Sequence, residues 1–169
     1  MPFEIPPDLP RPLFPVAWMI GSWRGDGVIE HASLPQPVSF TQTIDIGCGA
    51  DYLDYRSAIV RSGTGEPLEA ECGYWRLPDP PDAGAGEPGV EAVICHPTGI
   101  VEVYLGQVRG ATVELATDLV ARTSTAHAYT AAKRMYGQVE GDLLWVLEVA
   151  MDGQPMGAYS SARLTRAPA

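Results

Sequence analysis

From Ala17 onward the chain is a succession of short runs rich in Val, Ile, Thr and Tyr, each broken by Gly, Pro or Asp. β-Branched and aromatic residues in short runs bounded by turn formers read as strands. The runs fall at roughly 18–31, 38–46, 50–61, 67–77, 90–96, 99–108, 112–120, 127–139, 142–150 and 157–166. Several joins are short and carry glycine: Gly47 to Gly49, Gly110, Gly141-Asp142 and Gly153. Such joins suit antiparallel hairpins, whereas a parallel crossover needs about a dozen residues or more. No long segment has helical periodicity. About ten antiparallel strands can abolish their edges by closing into a barrel; a sandwich is the alternative that counting strands leaves open.

A chain of 169 residues fits one domain with a sizeable core, and 46% hydrophobic against 19% charged residues marks it as globular. Its formal net charge of −10 repels phosphate backbones and anionic lipid, so neither nucleic acid nor a membrane surface is an expected partner. No apolar run is long enough to span a bilayer as a helix. Prolines at 2, 6, 7, 10, 12 and 15 predict an extended arm over 1–16 with at most a short turn, ahead of a barrel domain at 17–166. Phe14, Trp18 and Met19 could form a helical turn across one barrel end. No basic segment followed by an apolar core opens the chain, so the expected location is cytoplasmic. Pro78 to Gly89, with four prolines and three glycines, reads as a flexible surface loop. Cys48, Cys72 and Cys95 lie far apart and form no Cys-x-x-Cys pair, so they are expected as reduced, unpaired thiols.

In Gly21-x-Trp23-x-Gly25-x-Gly27, alternate residues share one strand face. An indole flanked by missing side chains either bends a strand at a barrel corner or leaves room for a flat ligand. This motif resembles the Gly-x-Trp-x-Gly-x-Gly signature of the nitrobindins, small haem-binding β-barrels related in architecture to lipocalins and fatty-acid-binding proteins. Further segments resemble that family in the same order: Glu71-Cys72-Gly73-Tyr74-Trp75-Arg76, Pro97-Thr98-Gly99-Ile100-Val101-Glu102-Val103, Val120 to Ala126, and Gly153-Gln154-Pro155-Met156. Together they cover about 17–166. The resemblance implies an all-β fold, a closed antiparallel barrel of about ten strands with an apolar cavity at one mouth. The acidic, Ala/Gly/Pro-rich composition suggests a bacterial source.

The resemblance also implies haem b, held as ferric iron by one His of the last strand, with nitric oxide binding and isomerisation of peroxynitrite to nitrate. At the matching position this chain has Tyr159. Three readings follow. Haem binding and isomerisation are lost or altered, Tyr159 caps the former site, no cofactor is held, and the cavity takes a small apolar or planar ligand. Alternatively Tyr159 ligates ferric haem as tyrosinate, which requires its phenol to ionise near neutrality. In the third, another imidazole moves in: His31, His96 or His127. We expect the first, so whether the chain is an enzyme stays open, no catalytic residue is assigned, and the only metal ligand to consider is Tyr159. A carrier of fatty-acid-like molecules is a further alternative, and a homodimer is compatible with such a barrel.

The candidate ligand-binding residues are thus Tyr159, His127, His31 and Met156. His127 follows a run where relatives carry a Lys near the haem edge, and His31 follows the glycine motif. Alternation places Tyr159 with Ser161, Arg163 and Thr165 on the polar face of the last strand, pointing outward unless a bulge after Pro155 and Gly157 reverses it. Arg122 and Arg134 are the expected buried or propionate-facing cations. Asp51 with Asp54, and Glu69 with Glu71, read as exposed acidic pairs. Tyr74, Trp75, Tyr104, Tyr129, Tyr136 and Trp145 read as core.

Overall fold

A computed structural model describes residues 7–78 and 89–168. Ten antiparallel strands form a single closed barrel in which each strand pairs with its neighbours in sequence and the last returns to the first. They are β1 (Gly21–Ile29), β2 (Val38–Cys48), β3 (Tyr52–Arg61), β4 (Pro67–Arg76), β5 (Gly89–His96), β6 (Ile100–Arg109), β7 (Thr112–Arg122), β8 (Tyr129–Val139), β9 (Asp142–Met151) and β10 (Gly157–Arg166). Closure rather than a sandwich is therefore the way this chain protects its edges. The surface loop expected at 78–89 lies almost wholly outside the described residues.

The hairpins follow turn chemistry. Glu140 and Gly141 join β8 to β9 with φ of 55° and 91°, the two positive values a type I′ turn requires to match strand twist. Along the strands, burial alternates with period two, as in Ile44, Ile46 of β2 and Leu53, Tyr55 of β3. Trp75, Tyr104, Tyr129, Tyr136 and Trp145 are interior, as alternation suggests. Tyr74 is the exception and a correction: neighbouring strand residues face opposite ways, so with Trp75 inside it stands 60% exposed against Tyr52.

The helical turn expected around Phe14, Trp18 and Met19 is present and reaches further back, into the stretch expected to be extended. Residues Arg11–Met19 form a 3-10 helix, opened by the Leu13 amide donating to Pro10 at 3.0 Å, and they bury Leu13, Val16, Ala17, Trp18 and Met19. Proline at the start of a helix loses no bond, because those first amides have no partner inside the helix. The helix lies across one end of the barrel. Trp23 is fully buried beneath it and donates Nε1 to the Met19 carbonyl at 2.8 Å. Arg166, at the end of β10, stacks its guanidinium 4.1 Å from the Trp23 ring and donates to the Trp18 and Ile20 carbonyls.

The glycine motif is consequently a packing device. A side-chain carbon on Gly25 would come within 2.2 Å of the Arg163 carbonyl, and one on Gly27 would strike Phe40 and the Ser161 carbonyl. Both contacts lie on the seam where the first strand meets the last, Gly25 opposite Leu164 and Gly27 opposite Ala162. Backbone cannot step aside as a flexible side chain can. We expect Gly25→Ala to lose about 1–3 kcal/mol through overpacking and to lower Tm. Gly47→Ala, whose nearest neighbour is the Asp54 Cβ at 4.0 Å, should leave Tm near that of the parent in the same thermal melts.

Candidate functional site

The barrel end opposite the helix is where β1 finishes, β10 begins and the chain turns between β5 and β6 and between β7 and β8. It holds a cavity of about 250 Å³ with an apolar wall of Leu34, Ile100, Leu147 and Met151. None of Gly21, Trp23, Gly25 and Gly27 lines this cavity, and Trp23 lies six residues, roughly 20 Å, from Ile29 at the cavity end of β1.

Tyr159 enters the cavity because the β10–β9 ladder slips by one residue there. Ala158 pairs with Glu148 and Ser160 with Leu147, leaving Tyr159 as the extra residue of a bulge. The slip lets both Tyr159 and the buried Ser160 face inward, and the polar-face register that would send Tyr159 outward applies only beyond it. The Tyr159 carbonyl accepts from the Glu30 amide at 2.7 Å, which anchors the bulge to the end of β1. Its hydroxyl donates to Glu69 Oε1 at 2.5 Å. Burial first, then the Glu69 and Glu71 carboxylates, push the phenol well above its ordinary range, so it stays protonated.

Glu69 and Glu71 are not an exposed acidic pair. Both point into the barrel, where the side chain of Glu71 is only 9% exposed. Arg134 on β8 reaches across the interior and donates Nη1 and Nη2 to the two Glu71 oxygens at 2.8 and 2.7 Å. The same guanidinium donates Nη2 to Glu102 at 3.1 Å and Nε to the Tyr104 hydroxyl at 2.8 Å. Glu102, fully buried on β6, also accepts from Tyr104 and Tyr129 at 2.6 and 2.5 Å and shares a 2.7 Å hydrogen bond with His96 Nε2. Tyr55 donates to Glu71 at 2.9 Å. Of these groups Glu71, His96 and Tyr129 line the cavity beside Glu69 as its polar floor, and Arg134, Glu102, Tyr104 and Tyr55 support that floor from behind.

The floor divides its carboxylates into two kinds. Burial alone would raise Glu102, but the His96 hydrogen bond, the Arg134 charge and two phenols hold it down at about 2. Burial also works against Glu71, and the charge and hydrogen bonds of Arg134 outweigh it, keeping that carboxyl below its ordinary range. Glu69 is the opposite case. Its burial dominates, the Tyr159 hydrogen bond offsets only part of it, and its carboxyl sits above the ordinary range. His96 is pushed down by burial but more strongly up by Glu102 and Glu71, so it favours the imidazolium.

Other sequence-predicted residues scatter. His127 lines the cavity rim, with Nδ1 3.4 Å from Asp152, and its side chain is largely exposed. His31 is buried; Nδ1 lies 2.8 Å from the Ser33 hydroxyl, and the ring sits 5.6 Å from that of Tyr159 without lining the cavity. Met156 is exposed in the turn before β10 and does not line the cavity either. Arg134 is the buried cation expected, whereas Arg122 is exposed and donates to the His127 carbonyl at 2.9 Å. Arg122 lies where β7 has already left the β8 ladder, whose last pair is Ala116 with Lys133, so no closed wall covers it. Asp54 lies on the exterior, 3.7 Å from Arg56. His96 and Glu102 are the residues whose part sequence reasoning missed. The signal for them was alternation: Glu102 and Tyr104 share a strand face.

Two tests follow from the floor. Removing one partner of a buried ion pair typically costs about 3–5 kcal/mol, because the remaining charge is left unpaired. Arg134→Met should therefore lose stability on that scale at neutral pH in urea unfolding, and the deficit should shrink in mild acid as Glu71 and Glu102 become protonated. In the parent protein, Glu71 and Glu102 are depressed, so their stabilisation is complete above the ordinary carboxylate pKa and is lost as pH falls through their lowered values, about 2 for Glu102. His96 and Glu69 are raised, so their contributions are complete below their unfolded values and are lost as pH rises through the folded ones. Stability should peak at roughly pH 5–6.5, and His96→Gln should flatten the decline above it.

Comparison with known proteins agrees with this geometry. The family model described as a THAP4-like, heme-binding beta-barrel domain matches residues 12–166. A protein of Kineococcus radiotolerans named ferric nitrobindin-like protein is 46% identical over 94% of this chain and 95% of its own length. One of Leifsonia xyli subsp. xyli named peroxynitrite isomerase is 38% identical over 97% of this chain and 98% of its own. The crystal structure of Rv2717c from M. tuberculosis superposes with a TM-score of 0.82 at 27% identity, covering 95% of this chain and all of that one. With its ten-strand closure, its glycine motif and a match spanning nearly every described residue, the chain belongs to the nitrobindin family of haem-binding β-barrels.

Proposed function

We propose that this barrel has given up the axial imidazole of its family, and with it ordinary ferric-haem binding and peroxynitrite isomerisation, and instead binds a small, largely apolar ligand in the cavity beside Tyr159. The observation that carries this reading is the hydrogen bond from the Tyr159 hydroxyl to Glu69. A tyrosinate ligand needs a phenol that ionises readily, normally beside a cation. Here the hydroxyl faces carboxylates, and the guanidinium of Arg134 is already bound to Glu71, Glu102 and Tyr104. No imidazole replaces it. His96 holds Glu102 with Nε2, His31 is engaged with Ser33, and His127 lies at the rim beside Asp152. The residues present therefore do not fit a haem iron.

The cavity's size and chemistry point to the ligand class. About 250 Å³ is at or below the lower end of ligand clefts, roughly 300–1,000 Å³, which suits a compact molecule better than a porphyrin. Among the described residues, three interior carboxylates, Glu69 and Glu71 on the cavity lining and Glu102 behind it, stand against two interior cations, Arg134 and His96. That imbalance disfavours a fatty-acid headgroup and favours a neutral or basic one able to donate to Glu69.

The test is a titration of the purified protein with ferric haem, followed by optical spectra and desalting. The expected outcome is weak, sub-stoichiometric retention without a defined ligand-to-metal charge-transfer band. A stoichiometric complex whose charge-transfer band disappears in Tyr159→Phe would overturn the reading in favour of a tyrosinate haem protein. Tyr159→His supplies the converse arm: an imidazole at this position should gain haem retention over the parent.

A further inference from the structure

Cys72 and Cys95 are twenty-three residues apart in sequence, yet the β4–β5 register sets them directly opposite each other. Their sulfurs lie 3.2 Å apart, unbonded, on the exposed outer face of the barrel. Directly opposed residues of an antiparallel pair have Cα atoms about 4.5–5.5 Å apart. A disulfide accepts Cα separations of roughly 4.4–6.8 Å, so this pair can be joined without moving the strands. All three cysteines are free thiols, as expected, but distance in sequence does not keep them apart in space: Cys72 and Cys95 are neighbours, and Cys48, at the exposed end of β2, is the solitary one.

The position within the sheet matters as much as the distance. Cys72 with Cys95 is the last rung of the β4–β5 ladder. One residue beyond, on the inner face, come Glu71 and His96, which line the cavity with Nδ1 of His96 3.9 Å from Glu71 Oε1. The dithiol therefore stands at the point where the seam opens beside the cavity floor.

We propose that Cys72 and Cys95 form a reversible thiol–disulfide site, which closes on reaction with a hydroperoxide and staples the β4–β5 seam next to the cavity. The reaction balances without any bound cofactor. One thiolate sulfur takes the terminal oxygen of the hydroperoxide, the O–O bond breaks, and the alkoxide leaves as alcohol after picking up a proton. The second sulfur then attacks the resulting sulfenic sulfur; the S–S bond forms, the S–O bond breaks, and hydroxide leaves as water with the second thiol's proton. Two electrons pass from the two thiols to the peroxide. The contact with Cys72, and then burial, push the Cys95 thiol up; both sulfurs are exposed, so either can be oxidised first and the other resolves it.

This site is independent of what the cavity holds. Its test is treatment of the full chain with hydrogen peroxide, alkylation of remaining thiols, and non-reducing peptide mass mapping. The expected product is a Cys72–Cys95 cross-linked peptide two hydrogens lighter than the reduced pair, reversed by a phosphine reductant, with Cys48 still alkylated. Cys95→Ser should instead leave a sulfenic acid on Cys72 that dimedone traps. The oxidised protein should melt several degrees higher, and reduction should abolish the gain. Alkylation of both Cys72 and Cys95 at a peroxide dose that oxidises Cys48, or their conversion to sulfinic acids without a cross-link, would overturn the site. A cross-link with no change in Tm would overturn the staple.

Discussion

Arg134 is the group around which the interior is arranged. It projects from β8 into the barrel and ties β4 through Glu71 and β6 through Glu102. A guanidinium and two carboxylates out of water are tolerable only because the planar fork of Arg meets Glu71 with two parallel bonds, and phenols satisfy the remaining oxygens. Tyr104 and Tyr129 complete Glu102, and Tyr55 completes Glu71. With Arg134 committed to those two acids, Glu69 is left with the Tyr159 hydroxyl as its hydrogen-bond partner. The chemistry offered to a ligand is therefore set by which carboxylate Arg134 does not reach.

The two ends of the barrel do different work. At one, the proline-bearing helix, Trp23 and Arg166 fill the opening with an indole, a stacked cation and the carbonyls at the end of the helix. At the other, ladders stop short: β4 joins β5 only from Cys72 onward and β7 leaves β8 after Ala116. Thr117 partly replaces the lost backbone bonds by exchanging hydrogen bonds with Ala132 through its hydroxyl. Incomplete pairing leaves room for a cavity, and complete packing at the far end compensates by holding the barrel closed. The bulge at Tyr159 belongs to the open end, where a slipped residue disturbs fewer neighbours.

Much of this was legible in the chain. Strand positions and hairpins came from local rules, because a period of two and a positive φ at a turn depend only on nearby residues. The exposed reading of Glu69 and Glu71 failed because an acidic pair on a strand carries no mark of which face is inside; that depends on Arg134, sixty-three residues beyond Glu71. Tyr74 went outward for the same reason that Trp75 went inward. Arg122 and Arg134, similar on paper, separated because one lies within the closed ladder and the other past its end. The helical turn foreseen around Phe14, Trp18 and Met19 is present, but it begins earlier, at Arg11, because buried Leu13 and Val16 draw that part of the proline-rich segment onto the barrel end.

Local pattern was enough to specify about ten strands and their antiparallel order, since both follow from composition and spacing, and the resemblance to a family marked position 159 as the place where an imidazole is missing. Only closure of the sheet decided where Tyr159 points, which acid lacks a cation, and that two distant cysteines share a rung. Those are facts of register and of side chains converging from opposite walls, and no stretch of sequence contains both walls at once.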